Sequence, residues 1–291
     1  MYCPRLDHFV RFNSNGTVSR CGHMINAPQF DNLSDMESST WLAKTREKMS
    51  ADKWPAECAR CQETEPDSIR QYAIDLDKNS DRPDYLQVGG ILDNVCNAAC
   101  LSCNETLSTR IGSLNGRGFP VYNNLDHFWN LPQERIVHLD INGGEPSYSK
   151  NYKKLLANLP PNLRTLRLNT NCSTVLHELT DIADRGIDVT VTVSCDGIGD
   201  IHELARWPIA WQTFYDNLMH YKTMPVTLNL WTTVSALNVD DLPNIQSFAR
   251  HHNIDHSWAY LKHPHELSVD NQDLESRQTY IRKQKQLRGI E

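Results

Sequence analysis

Residues 85–103 read YLQVGGILDNVCNAACLSC. The first part, Tyr85 to Leu92, is an extended apolar run that predicts a β-strand. It leads within a few residues to Cys96, Cys100 and Cys103, a CxxxCxxC triad with no obvious fourth cysteine beside it. Four thiolates close the shell of a four-iron cluster, whereas three leave one iron open to bind something that reacts. A strand feeding such a loop puts the thiols at its carboxyl end, where parallel barrels keep their chemistry.

Working outward, β-type runs recur at Arg135 to Asn142, Thr165 to Asn169, Asp188 to Ser194, Val226 to Val234 and Asp255 to Leu261. Helical periodicity fills the intervals at Lys150 to Leu159, Val175 to Arg185, Trp211 to Tyr221 and Leu242 to His252. Such alternation predicts a parallel α/β fold, and right-handed crossovers curl it toward a partial (β/α)6 barrel spanning residues 85–265. Residues 1–84 read differently. A hairpin-like start (HFVRFNSNGTVSRC, with its turn at Asn15-Gly16) precedes a helix around Asp35 to Met49 and a second near Ser68 to Asp77. The polar stretch Lys78 to Pro83 marks the expected boundary, and residues 266–291 read as a polar surface helix.

The chain has 291 residues, 39% of them hydrophobic, which is enough for one large domain with an appendage or for two modest domains. A net charge of −7 supplies no overall basic field of the kind nucleic-acid binding uses, although Arg277 to Arg288 is locally basic. No apolar run is long enough to span a bilayer, and the start MYCPRLDHFVRF lacks the regions of a signal peptide, so a cytoplasmic protein is expected. In that setting nine cysteines with CxxC and CxxxCxxC spacings point to metal or catalysis, with few or no disulfides.

The second strand ends in HLDINGGEP, where Gly143 and Gly144 permit close backbone approach, Glu145 brings a carboxylate and Pro146 fixes the exit. The triad and this turn, in this order and each after an expected strand, resemble the radical S-adenosylmethionine enzymes. That resemblance implies a four-iron cluster on Cys96, Cys100 and Cys103. It also implies that the Gly143, Gly144, Glu145, Pro146 turn contacts the amino group of S-adenosylmethionine. LNTN at Leu168 to Asn171, VSCDG at Val193 to Gly197, and Arg206 look like the family's later strand ends. By position they carry Ser194, Asp196, Arg206 and Asn171 to the cofactor's ribose and carboxylate, with Asn238 a lesser candidate. Ser102 departs from the pattern, since relatives usually have an aromatic residue before the third cysteine. On spacing alone the triad also suits zinc with a borrowed ligand, but zinc has no use for the GGEP turn.

The amino-terminal cysteines Cys3, Cys21, Cys58 and Cys61 stand as C-x12-G-x4-C followed by CxxC. They resemble the SPASM and twitch auxiliary modules, which usually follow the barrel, and imply a second four-iron cluster with a closed thiolate shell. Structural zinc suits the same four ligands. Cys172 and Cys195 lie just past expected strand ends, where a thiol can donate hydrogen to a substrate radical, as in radical epimerases. A cysteine there is more often a small buried hydrophobe. Trp231, Trp258 and Tyr260 are candidate cavity-lining residues or core, and His138, His202 and His263 have no spacing that demands a metal.

The activity implied is reductive cleavage of S-adenosylmethionine to methionine and a 5′-deoxyadenosyl radical that abstracts hydrogen. The electron is expected from a donor such as flavodoxin or ferredoxin. Auxiliary-cluster relatives suggest a peptide or protein side chain as substrate, with a sugar, nucleoside or amine as the alternative. A rival of another class is a non-catalytic iron–sulfur or zinc scaffold. Its sequence mark would be loss of the GGEP turn, which is intact here.

Overall fold

The structure is a computed structural model that describes residues 1–78, 80, 83–116 and 119–290. Among these residues it forms β1 (Phe9–Phe12), β2 (Val18–Ser19), β3 (Leu86–Ile91), β4 (Ile136–Asn142), β5 (Thr165–Thr170), β6 (Asp188–Ser194), β7 (Thr227–Val234) and β8 (Asp255–Tyr260). Strands β2, β1, β3 and β4 are neighbours in that order, as are β6, β7 and β8, with the β1–β3, β3–β4, β6–β7 and β7–β8 pairs parallel and β1–β2 antiparallel. This is the α/β class that the alternating runs predict. The expected strands from residue 85 onward are β3 to β8, each within one residue of its expected bounds. No helix among the described residues is long and apolar enough to cross a membrane.

The chain divides into two compact units. The first comprises Met1–Leu92, Tyr122–Asn142 and Ala157–Leu166, and the second Asp93–Val121, Gly143–Leu156 and Arg167–Glu291.

In the first unit the expected hairpin forms, with Arg11 opposite Ser19 and Phe12 opposite Val18. β1 also lies parallel to β3, pairing Val10 with Val88 and Phe12 with Gly90, so the amino-terminal stretch shares a sheet with the first barrel-type strand. Val10, Phe12, Leu86, Val88, Ile136, Leu139 and Ile141 are buried, and covering both faces of a parallel strand is why these runs read as nearly continuous apolar segments. The single helix expected over Asp35 to Met49 is two, Leu33–Glu37 and Thr40–Ser50. Ser39 breaks it: the residue is extended, and its hydroxyl accepts from the Leu42 amide as an N-cap. The boundary expected at Lys78 to Pro83 lies partly outside the described residues, at 79, 81 and 82.

In the second unit β6, β7 and β8 pair in parallel, with Val191 beside Leu228 and Trp231 beside Ser257. The helix Trp211–Tyr221 buries Phe214, Leu218 and Tyr221, the one-sided spacing of an amphipathic helix against a sheet. Leu274–Arg288 is the expected last helix, capped by Asp273 at its start and by Gly289 in the left-handed region at its end. It is not wholly a polar surface helix. Arg288 is buried, because residues far away in the sequence cover it.

Gly90 tests the β1–β3 pairing. Its φ is +96°, and an added Cβ would stand 2.3 Å from the Phe12 carbonyl oxygen. Gly90→Ala should destabilise the protein by about 1–3 kcal/mol through backbone strain and crowding, lowering the melting temperature by several degrees. A wild-type thermal melt would contradict the pairing.

Candidate active site

In the second unit the CNAACLSC loop is held by backbone contacts before any metal is considered. The Ala99 amide donates to the Trp207 carbonyl at 2.8 Å, and the Leu101 amide to the Ala205 carbonyl at 2.9 Å. The Cys96 amide donates to Thr109 Oγ1 at 3.2 Å, and Ser108 Oγ donates to the Ala98 carbonyl at 2.7 Å. Cys100 is buried, while Cys96 and Cys103 are partly exposed. Burial, followed by repulsion from the neighbouring Cys100 thiolate, pushes Cys96 and Cys103 up to about 12. Burial also raises Cys100, opposed by the nearby Arg206 charge. The Cys100 thiol thus lies close enough to Cys96 and to Cys103 to bear on the charge of each.

The GGEP turn is fastened to the same loop. The Glu145 amide donates to the Val95 carbonyl at 2.8 Å. Gly144 has φ +55°, and a Cβ there would lie 2.6 Å from the Val95 carbonyl oxygen and 2.7 Å from Asp93 Oδ1, so only glycine allows this approach. The Glu145 carboxylate is 1% exposed. One oxygen accepts from the Ser147 amide at 3.1 Å, Ser147 Oγ at 2.8 Å and Thr170 Oγ1 at 2.7 Å, and the other accepts from the Asn171 amide at 2.6 Å. Burial pushes this carboxyl up, and the four donors work against it. A buried carboxylate with only neutral donors is ready for a cation.

Other expected residues gather here. Asn171 Nδ2 donates to Asn97 Oδ1 at 2.8 Å inside the cysteine loop. Asp196 is buried and accepts from Arg206 Nη1 at 2.7 Å and from the Thr233 amide at 2.8 Å. Burial opposes the Arg206 charge, but Cys100 and Asp196 more than offset it and hold it protonated. Its Nε is buried without a hydrogen-bond partner among the described residues. Ser194 is half-buried at the end of β6. Asn238 is committed to the backbone, its Nδ2 donating to the Asp196 and Thr233 carbonyls and its Oδ1 accepting from the Ser235 amide.

Cys172 and Cys195 are both fully buried, and their thiols donate to the Phe214 and Gly197 carbonyls. His202 packs on Phe214 and Trp211, and burial pushes it down to about 3. His138, in the first unit, lies between Ser80 Oγ and Thr165 Oγ1, and burial pushes it down to about 4. His263 lines a cavity of about 610 Å³ beside Cys103. Trp231, Trp258 and Tyr260 are 37%, 42% and 59% exposed, too open to be core.

Sequence reasoning missed Asp93. It is buried and accepts from the Val95 amide, Asn151 Nδ2 and Ser149 Oγ, joining the cysteine loop to the segment after the GGEP turn. No motif announces it, because its side-chain partners Ser149 and Asn151 lie more than fifty residues away.

The first unit gathers the other four cysteines. Cys3, Cys21, Cys58 and Cys61 line a cavity of about 20 Å³ together with Arg5, His23 and Arg70. Burial and the neighbouring thiols push Cys3 up to about 11 and Cys58 up to about 12, and they raise Cys61. Arg5 is 5% exposed, with Nη1 3.7 Å from Cys21 Sγ and Nε without a partner among the described residues. A buried guanidinium facing thiols, with no carboxylate in an ion pair with it among the described residues, suits a set that becomes anionic on binding metal. Among the described residues, no group of three or more His, Cys, Asp or Glu side chains is placed to hold a metal ion.

No protein-family model and no curated protein matches the chain. Among solved structures it is similar to native anSMEcpe with bound AdoMet, at 14% identity and a TM-score of 0.46, over 69% of this chain and 62% of that one. It is similar also to Streptococcus suis SuiB bound to S-adenosylmethionine, at 13% identity and 0.48, over 86% and 57% of the two chains. Against SuiB bound to the precursor peptide SuiA the values are 12% and 0.48, over 98% and 70%. The chain spans 62% and 57% of the first two, about three-fifths of their length.

Two outcomes follow from this geometry. Gly144→Ala should force the turn away from Val95, seen as faster amide exchange in the 93–97 segment; unchanged exchange would contradict the contact. The raised thiols set a pH dependence for the metal-free protein. Thiols of the unfolded chain ionise above about pH 8.5, while Cys3, Cys58, Cys96 and Cys103 stay protonated in the fold up to about 11–12. The native state therefore keeps protons that the unfolded state loses, and stability is full below about pH 8.5 and falls as pH rises through that window. Urea midpoints under reductant should drop between about pH 7.5 and about pH 10, and a flat profile would contradict the burial of these thiols.

Proposed function

We propose that the chain is a radical S-adenosylmethionine enzyme. The observation that carries this reading is the fastening of the GGEP turn to the three-cysteine loop, with the Glu145 amide 2.8 Å from the Val95 carbonyl oxygen. A zinc site borrowing a fourth ligand has no need of that turn. Cys96, Cys100 and Cys103 would hold a four-iron cluster. When bound, the cluster and S-adenosylmethionine supply one-electron cleavage of the sulfonium and a 5′-deoxyadenosyl radical that takes hydrogen from the substrate.

The chain's own residues do the holding. Glu145, surrounded by neutral donors, takes the ammonium of the cofactor's methionine part, and Arg206 offers its unpartnered Nε to the carboxylate. Asp196, besides fixing Arg206, joins Ser194 and Asn171 in ribose recognition. Cys172 and Cys195, candidates either for hydrogen donation or for packing as small buried hydrophobes, are assigned here to packing because both are fully buried. Cys3, Cys21, Cys58 and Cys61 form a second, closed set for an auxiliary four-iron cluster, and the orphaned Arg5 nitrogen supports an anionic occupant. Structural zinc is the second reading of these four ligands.

For substrate the reading takes a peptide or protein side chain, as the resemblance to auxiliary-cluster enzymes implies, ahead of a sugar, nucleoside or amine. A low-potential carrier such as flavodoxin or ferredoxin would deliver the electron. The rival scaffold reading predicts no turnover.

Anaerobic reconstitution with iron and sulfide, followed by reductant and S-adenosylmethionine, should yield 5′-deoxyadenosine that is abolished in Cys96→Ala. Equal yields in both would sink the enzymatic reading. About eight irons per chain supports two clusters, and about four irons with one zinc supports the zinc alternative.

A further inference from the structure

The last helix, Leu274–Arg288, touches the CNAACLSC loop at two backbone carbonyls. Arg288, 7% exposed, donates from Nε to the Ala99 carbonyl at 2.8 Å and from Nη1 to Gln284 at its backbone and side-chain oxygens, 2.9 and 2.6 Å. Tyr280 donates its hydroxyl to the Leu101 carbonyl at 3.3 Å. Beneath these bonds Leu101 packs with Leu261 and Leu267, and Tyr280 and Ile281 lie against the same cluster. The amides of Ala99 and Leu101 bond to Trp207 and Ala205, so each residue is gripped at its amide by one segment and at its carbonyl by the helix. This fixes the backbone between the first and third cysteines from two sides.

We infer that Arg288 is a positioning residue for the group bound by Cys96, Cys100 and Cys103, both clamping the loop and placing a buried positive charge beside it. The inference rests on the reading of that loop as a cluster site. Two features separate Arg288 from an ordinary helix-end arginine. No carboxylate pairs with it in an ion pair among the described residues, and Cys100 and Cys103 are close enough to bear on its charge. A cation beside a cluster favours the reduced, more negative state and so raises its potential. The guanidinium also bonds a neutral carbonyl and its own helix at once, a fork that lysine cannot reproduce.

The test uses the full chain with Arg288→Gln, Arg288→Lys and Cys96→Ala. Circular dichroism checks that each variant folds. The first readout is amide exchange of residues 97–103 before iron is added. Losing a charge-assisted hydrogen bond should speed exchange about tenfold or more in both Arg288 variants. The second is the midpoint potential of the reconstituted cluster signal that Cys96→Ala abolishes. It should fall in Arg288→Gln and stay near wild type in Arg288→Lys, which keeps the charge; a purely structural role would move both variants alike. Wild-type exchange in Arg288→Gln, or an unshifted potential, overturns the role of Arg288 alone. A wild-type protein whose signal equals that of Cys96→Ala overturns the cluster reading, and with it any role for Arg288 at a cluster.

Discussion

The proposed site depends on one backbone hydrogen bond, from the Glu145 amide to the Val95 carbonyl. It ties the turn after β4 to the loop that carries three cysteines, and it forms only because Gly144 has no Cβ to strike Val95 and Asp93. Around it the polar groups are satisfied in order: Asp93 braces the loop start, Thr170 and Asn171 close on the Glu145 carboxylate, and Asn97 joins Asn171. A buried carboxylate is costly unless its environment favours the charge, and neutral donors answer only part of that cost. The remainder is a demand for a cation, which the ammonium of the proposed cofactor would meet.

The two buried arginines flanking thiols follow the same logic. Arg206 is paired with Asp196 yet has one nitrogen without a partner among the described residues, and Arg5 has a thiol and an aromatic ring beside it. Removing one partner of a buried ion pair typically costs about 3–5 kcal/mol, because the other charge stays buried. Unpartnered guanidinium nitrogens next to cysteines fit thiolates that charge when metal arrives, which is how metal binding and folding become coupled.

Much of this was legible in the sequence because its signals are local. A parallel strand covered on both faces must be largely apolar along its length, so β3, β4 and β6 stand out as apolar or β-branched runs, while β8, DHSWAY and mostly exposed, is marked by its spacing in the alternation. The cysteine triad and Gly143 to Pro146 are legible for the same reason: the proposed cluster loop and a tight turn would each draw several residues from one short stretch. Contacts between distant segments were not legible. Asp93 reads as an ordinary loop acid until Ser149 and Asn151 approach it, and Arg288 reads as part of a basic surface helix until the Ala99 carbonyl, 189 residues away, covers it. Ser39 splits an expected helix because its hydroxyl competes for a backbone amide, a choice that apolar periodicity does not register.

The central claim is that Cys96, Cys100 and Cys103 hold a cluster with an iron open to S-adenosylmethionine. Electron paramagnetic resonance of the reduced, reconstituted protein tests it most directly. Adding S-adenosylmethionine should change the cluster signal in the wild type, with no such response in Cys96→Ala. A wild-type spectrum that does not respond to the cofactor would contradict the account.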